Sequence, residues 1–332
     1  MKKIFIFHHS DLDGMGVKIL ASKYAEEKGF KYETHKCNYN DVDQIVCDTL
    51  KEVSISDMEE VIIGDISVNE QTAEFLDHLF YNGVAIRLRD HHATAEWLNR
   101  YPWAKVQEKD IDGIERCGTW LLASDSCFDN VRELMGLFIH EVDMWDTWKW
   151  KNANDTDATN LNALFQILGE EDFTNYILSI DCAGDLFTEY GKTMIEAHER
   201  QVKKVAENCE ANMWVMDLSI PNKPNSYKTG VIFCNHDISD VGNLILDKHP
   251  ELDILMLVSN PKSISYRTQK RLDIPLGDVA KMITGSGGGH PMAAGSVISP
   301  KQFQKAFLKT LGILSGNRTD LKFTGLSLAE KE

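Results

Sequence analysis

Seven residues dominate the chemistry that this sequence offers: His9, Asp11 and Asp13 in Phe7-His8-His9-Ser10-Asp11-Leu12-Asp13-Gly14, Asp65 after Gly64, and Asp90, His91 and His92 after Arg89. His9, Asp11 and Asp13 are spaced by two, so an extended backbone projects them from one face. His8, one position out of phase, points away. Carboxylates crowded with imidazoles repel one another unless a cation neutralises them. A mixed Asp/His set suits Mn²⁺ and, second, Mg²⁺, rather than a thiolate-loving ion. Two such ions roughly 3.5–4 Å apart, bridged by one carboxylate, activate water and stabilise a leaving oxygen in phosphoester hydrolysis. A lone Asp at a strand end is more often a turn former or a cap. Three such ends in succession are not explained by capping.

The elements that must position these groups are visible as apolar runs. Lys3–Phe7 reads as a strand, and Gly14–Glu27 as a helix. Val61–Gly64 reads as a strand, Glu70–Tyr81 as a helix stopped by Asn82-Gly83, and Val84–Leu88 as a third strand. This β-α-β-α-β rhythm predicts a parallel sheet, and open parallel sheets carry their sites at the carboxyl edge. From about Arg116 to Ile180 the pattern is mainly helical, and a long amphipathic helix runs from Leu186 to about Glu210. Strands return at Asn212–Leu218, Lys228–Cys234, Asp253–Ser259 and Ile264–Arg267, with a loop at Pro221–Asn225. The expected fold class is α/β with two lobes. The expected parts are an α/β domain over 1–184, a helical linker over 185–211, a smaller α/β domain over 212–315, and a polar tail over 316–332.

A second constellation lies in the far part of the chain, at Thr284-Gly285-Ser286-Gly287-Gly288-Gly289-His290-Pro291. Consecutive glycines let backbone N–H groups approach an anion, and His290 can donate to a phosphate oxygen. Upstream, Ser265 and Arg267 end a strand, and the guanidinium suits phosphate. A flexible linker is the plainer reading of glycines, but it gives no reason for a histidine in their midst.

Composition limits the partners. The 332 residues carry a formal charge of −16, with no basic run. Proteins that track long nucleic acid draw their affinity from cations set against phosphates, so long duplexes are not expected. The seven cysteines form no CxxC pair and are odd in number, which predicts reduced thiols in a cytoplasmic protein. The apolar start ends at once in His8-His9, too short for a signal sequence, and no stretch is long enough to span a membrane. The tryptophans, among them Trp145, Trp148 and Trp150, are read first as core and only second as base-stacking groups. His140, on a predicted helix, is read as a packed or surface residue.

In this order the motifs resemble the DHH/DHHA1 phosphoesterase superfamily. Asp90-His91-His92 matches the motif that names it, His9-Ser10-Asp11-Leu12-Asp13-Gly14 its first motif, and Gly64-Asp65 its second. Gly287-Gly288-Gly289-His290 with Ala293-Ala294-Gly295 is similar to the DHHA1 signature. The form of the first motif is most similar to the nanoRNase B type. The resemblance covers about residues 4 to 310. It implies two divalent ions, one held by His9, Asp11 and Asp65 and the other by Asp13, Asp65, His91 and a fourth-motif Asp, with Asp65 bridging. Within Glu141–Trp148 that fourth Asp is read as Asp143, with Asp146 in reserve. Asp90 would orient His91, and His92 would face the substrate phosphate together with Ser265, Arg267, Gly287–Gly289 and His290. The implied activity is hydrolysis of short RNA oligonucleotides or linear dinucleotides to mononucleotides, with a homodimer left open. The alternatives are a 3′-phosphoadenosine 5′-phosphate phosphatase, a cyclic dinucleotide phosphodiesterase, a RecJ-like single-strand exonuclease, and an inactive nucleotide-binding regulator.

Overall fold

The structure is a computed structural model. It describes residues 2–153, 155–180, 182, 184–219, 226–259, 263–270, 272–273, 275–285, 287–289 and 292–299. The chain divides within one long helix into two units, Met1–His198 and Glu199–Glu332.

The first unit opens with β1 (Lys3–His8), α1 (Leu12–Lys28), β2 (Lys31–Lys36), α2 (Val42–Lys51), β3 (Met58–Gly64), α3 (Glu70–Tyr81), β4 (Ala85–Asp90) and β5 (Ala104–Val106). Its strands form a five-stranded sheet, ordered β2-β1-β3-β4-β5, in which every pairing is parallel. Strand β1 shows why both faces are covered. Ile4 and Ile6 enter a core shared with α1 and the helices that follow β5, while Phe5 and Phe7 enter a second core with α2 and α3. Alternation along a strand requires that split. The helical part comprises α4 (Gly118–Ala123), α5 (Asp129–Leu134), α6 (Gly136–Asp146), α7 (Lys149–Ala153) and α8 (Thr156–Ser179), the last broken at Gly169. The long helix α9 (Glu189–Ala211) carries the boundary between the units.

The second unit adds β6 (Trp214–Ser219), β7 (Ser226–Phe233), α10 (Ile238–Lys248), β8 (Ile254–Ser259), β9 (Ser263–Arg267), α11 (Leu276–Thr284), β10 (Gly288–Gly289) and β11 (Ala293–Val297). Its six strands run in the order β10-β11-β9-β8-β7-β6, antiparallel except for the β7–β8 pair. Helices α9 and α10 pack on one face of this sheet and α11 on the other. Among the described residues no helix is long and apolar enough to cross a membrane.

Candidate metal centre

Strand order 2-1-3-4-5 reverses direction between β1 and β3, the switch point at which open α/β sheets leave a crevice beyond their carboxyl ends. The cluster stands there. His9 and Asp11 follow β1, Asp65 follows β3, and His91 and His92 follow β4. Asp13 is carried into the first turn of α1, for which Asp11 is the N-cap, its side chain accepting the Gly14 N–H. Gly14 is required by closeness rather than by a turn. A Cβ there would lie 2.2 Å from the His9 carbonyl oxygen.

The ligand-type atoms are close. His9 Nδ1 lies 2.8 Å from Asp11 Oδ2 and 3.6 Å from Asp65 Oδ2. His91 Nε2 lies 3.2 Å from Asp65 Oδ1, 3.5 Å from Asp146 Oδ2 and 3.9 Å from Asp13 Oδ2. Three groups could each gather a metal ion: His9–Asp11–Asp65, Asp13–His91–Asp146 and Asp65–Asp90–His91–His92. Asp65 belongs to two of them and touches both histidines, as a bridging carboxylate would.

Asp65 is 1 % exposed and Asp146 sits partly buried beside it, and the Oδ2 atom of each is buried without a hydrogen-bond partner. Burial, then the carboxylates of Asp11, Asp13 and Asp146, push the Asp65 pKa well above the ordinary carboxylate range. Asp146 is raised likewise, by burial and then by Asp13 and Asp11. Carboxyl oxygens held together by the fold without partners are what divalent cations satisfy, so the residues fit the group that the motifs imply.

The helical layer supplies what the sheet cannot. At the start of α4, the Gly118 N–H donates to Asp13 Oδ2 at 2.6 Å and the Thr119 N–H to Asp13 Oδ1 at 2.7 Å. Only glycine fits at 118, because a Cβ would lie 2.9 Å from Asp65 Cβ and 3.0 Å from Asp13 Oδ2. Asp143 does not join the cluster. Its carboxylate accepts from Arg116 Nη1 at 3.0 Å, the Cys117 N–H at 2.9 Å and Lys149 Nζ at 2.5 Å. Asp146, one turn later on α6, faces His91 instead. The structure thus brings Asp146, held in reserve in the sequence reading, to the cluster and leaves Asp143 out of it: Asp143 is already neutralised by two cations and clamps α4.

Asp90 also differs from expectation. Its Oδ1 accepts from His92 Nδ1 at 2.7 Å and from the backbone N–H of His91 at 2.8 Å, and Ser67 donates to its other oxygen. It thus orients the His92 ring and the His91 backbone, not the His91 ring. Burial favours the neutral form of both side chains, but their hydrogen bond outweighs it, lowering the Asp90 pKa and raising that of His92. Tyr39, in the loop after β2, escaped the sequence reading. Its hydroxyl lies 2.9 Å from His92 Nε2, and its ring is 5.0 Å from that of His9. His8 is fully buried on the other face. It donates from Nδ1 to the His9 carbonyl at 2.8 Å, and burial lowers its pKa to about 4, so the ring is neutral.

In the second unit, Arg267 ends β9 with its guanidinium 3.1 Å from Ser239 Oγ, and Ser265 pairs with Gly295 across the sheet. Gly288 and Gly289 form a short strand against Gly295 and Ala294, preceded by Gly287. His290 lies outside the described residues, as does the predicted loop at 221–225.

No protein-family model matches the chain. Oligoribonuclease NrnB of Bacillus subtilis is 26% identical over 306 residues, covering 90% of this chain and 74% of that protein. The chain is similar to this oligoribonuclease over most of its length. A 3′,5′-cyclic-nucleotide phosphodiesterase of Helicobacter pylori is 22% identical, with 90% of this chain and 93% of that protein covered. Among solved structures, RecJ from Thermus thermophilus in complex with Mn²⁺ has a similar fold, with a TM-score of 0.51 at 13% identity. That alignment covers 93% of this chain and 52% of RecJ.

Proposed function

We propose that this DHH-type phosphoesterase hydrolyses short RNA oligonucleotides or linear dinucleotides to mononucleotides at a two-metal centre. The residues assigned to it are His9, Asp11, Asp13, Asp65, His91 and Asp146. The observation that carries the reading is the pair of orphaned carboxylate oxygens on Asp65 and Asp146, set among four further ligand-type side chains at the sheet's switch point. When bound, two divalent ions would supply a nucleophile from water at neutral pH and charge to offset the developing alkoxide. Mn²⁺ is favoured over Mg²⁺ by the two imidazoles.

The chain's own groups then do the following. Asp65, which belongs to two of the ligand groups, would serve both ions. Asp13, immobilised by the Gly118 and Thr119 N–H groups, presents its oxygens without rotamer freedom. Asp90 raises the His92 pKa and orients its ring, so that Nε2 can donate to a phosphate oxygen in place of Tyr39. Ser265, Arg267, Gly287, Gly288, Gly289 and His290 are proposed as phosphate-binding residues of the second unit. A net charge of −16 supplies little attraction for phosphates beyond the reacting ones, which favours substrates of a few nucleotides.

The likeness to a cyclic-nucleotide phosphodiesterase makes a cyclic substrate the second reading. One panel separates them: protein stripped with chelator and reloaded with Mn²⁺ or Mg²⁺ is offered a dinucleotide, a pentanucleotide, a strand of about 24 nucleotides, a cyclic dinucleotide, a 3′,5′-cyclic mononucleotide and a 3′,5′-bisphosphate nucleotide. Fastest turnover of the dinucleotide and pentanucleotide is expected. Preference for the long strand, or full activity in chelator, would refute the proposal.

A further inference from the structure

A second group of ligand-type side chains lies in the first unit, apart from the switch point. His140 and Glu141 are neighbours on α6, and Asp155 is the N-cap of α8, its side chain accepting the Asp157 N–H at 2.9 Å. Ligand atoms from His140, Glu141 and Asp155 lie within 4.8 Å of one another. Acidic clusters at helix ends are common, and this one would mean little alone. Glu141 changes that. It is 4% exposed, and its buried Oε2 has no hydrogen-bond partner. The charged groups acting on it, Asp155 and Asp157, are both anionic. A buried carboxyl oxygen without a partner, set beside another carboxylate and an imidazole, has no cation acting on its group among the described residues, and fold energetics does not tolerate that cheaply.

We propose that His140, Glu141 and Asp155 bind one divalent cation of the Zn²⁺ or Mn²⁺ type, structural in role and separate from the candidate phosphoesterase centre. One imidazole and two carboxylates are a donor set both ions accept, with water completing the shell. His140 is exposed, so the ion can enter from solvent. The ion would tie α6 to the start of α8 across the short helix α7. Helix α6 also carries Asp146 at its far end, so this brace would steady one ligand of the other centre.

The test compares metal content and melting temperature of wild type, E141Q and H140A, stripped with chelator and then reloaded with Zn²⁺ or Mn²⁺ alone. Wild type is expected to hold one equivalent more than either variant. The same difference is expected in the D65N background, where the phosphoesterase centre is impaired, so a failure of that assignment would not be mistaken for a failure of this one. In chelator E141Q is expected to melt no lower than wild type, because it removes a buried unpaired acid, and after reloading the order reverses. If E141Q does not fold, H140A, altered at an exposed position, decides by itself. Equal metal content in wild type and the folded variants would overturn the proposal.

Discussion

Asp143 and Asp146 stand one helical turn apart on α6, and the structure gives them opposite jobs that two substitutions can separate. Asp143 is buried and accepts three hydrogen bonds, two of them from the cations Arg116 and Lys149. Removing one partner of a fully buried pair costs about 3–5 kcal/mol. Here the Arg116 and Lys149 side chains are 20% and 28% exposed, and an Asn carbonyl still accepts from Cys117. Solvent screening and that retained bond reduce the expected loss for Asp143→Asn to about 2–3 kcal/mol. At about 2–4 °C per kcal/mol for a unit of this size, melting should fall by roughly 4–12 °C. Asp146→Asn should do the reverse. It removes a carboxylate whose Oδ2 has no partner, so the metal-free protein should be as stable as wild type or more so. It should lose metal, and with it turnover by at least about 100-fold. The assay is urea unfolding in chelator, paired with elemental analysis and phosphodiester hydrolysis after Mn²⁺ loading. If Asp143→Asn lost metal with its stability intact while Asp146→Asn kept both metal and turnover, the correction made on geometry would be wrong.

Asp65 gives a prediction in pH. Its folded pKa is raised above the ordinary value of 3.8, so the metal-free folded state keeps a proton that the unfolded state releases. Stability therefore falls as pH rises above 3.8, and urea titrations in chelator should show wild type losing stability relative to Asp65→Asn across that rise. If the difference between the two proteins did not vary with pH, the raised pKa would be refuted. Tyr39→Phe removes the hydroxyl against His92 Nε2 and leaves every proposed metal ligand in place. Metal content should be unchanged, while kcat or KM shifts by a few-fold to about 30-fold, corresponding to about 1–2 kcal/mol for one hydrogen bond. Gly118→Ala forces a methyl against Asp65 and Asp13, and should cost about 1–3 kcal/mol of stability and impair metal retention. A variant with wild-type stability and metal content would show that α4 can yield.

What the sequence revealed and what it concealed follow from how local each signal is. Strands β1 and β3 are largely apolar runs and β4 an alternating one, each leading into Asp or His, so both the sheet and its loaded edge are written within a few residues each. Strand β2 was missed because Lys-Tyr-Glu-Thr-His-Lys lies at the sheet's edge and buries none of its side chains fully. With it went Tyr39, whose place beside His9 and His92 depends on where that strand ends. The helices over 118–146 were anticipated as a helical region, but their contribution to the centre was not. Gly118 and Thr119 reach Asp13 from 105 and 106 residues away, and no periodicity encodes that.

The same distance explains the fourth carboxylate. On a helix, residues three apart share a face, so spacing cannot say which of Asp143 and Asp146 points at the metals. The decision rests on Arg116, which sits in the segment leading into α4 and claims Asp143 from 27 residues away. Once that ion pair forms, Asp143 is neutral in effect and of no use for neutralising a metal. Asp146 is left as the carboxyl group without a counter-charge, and a carboxyl oxygen held without a partner inside a fold marks where a cation can bind. By that criterion Asp65, Asp146 and Glu141 stand together, although only the first was marked as a primary ligand by its motif.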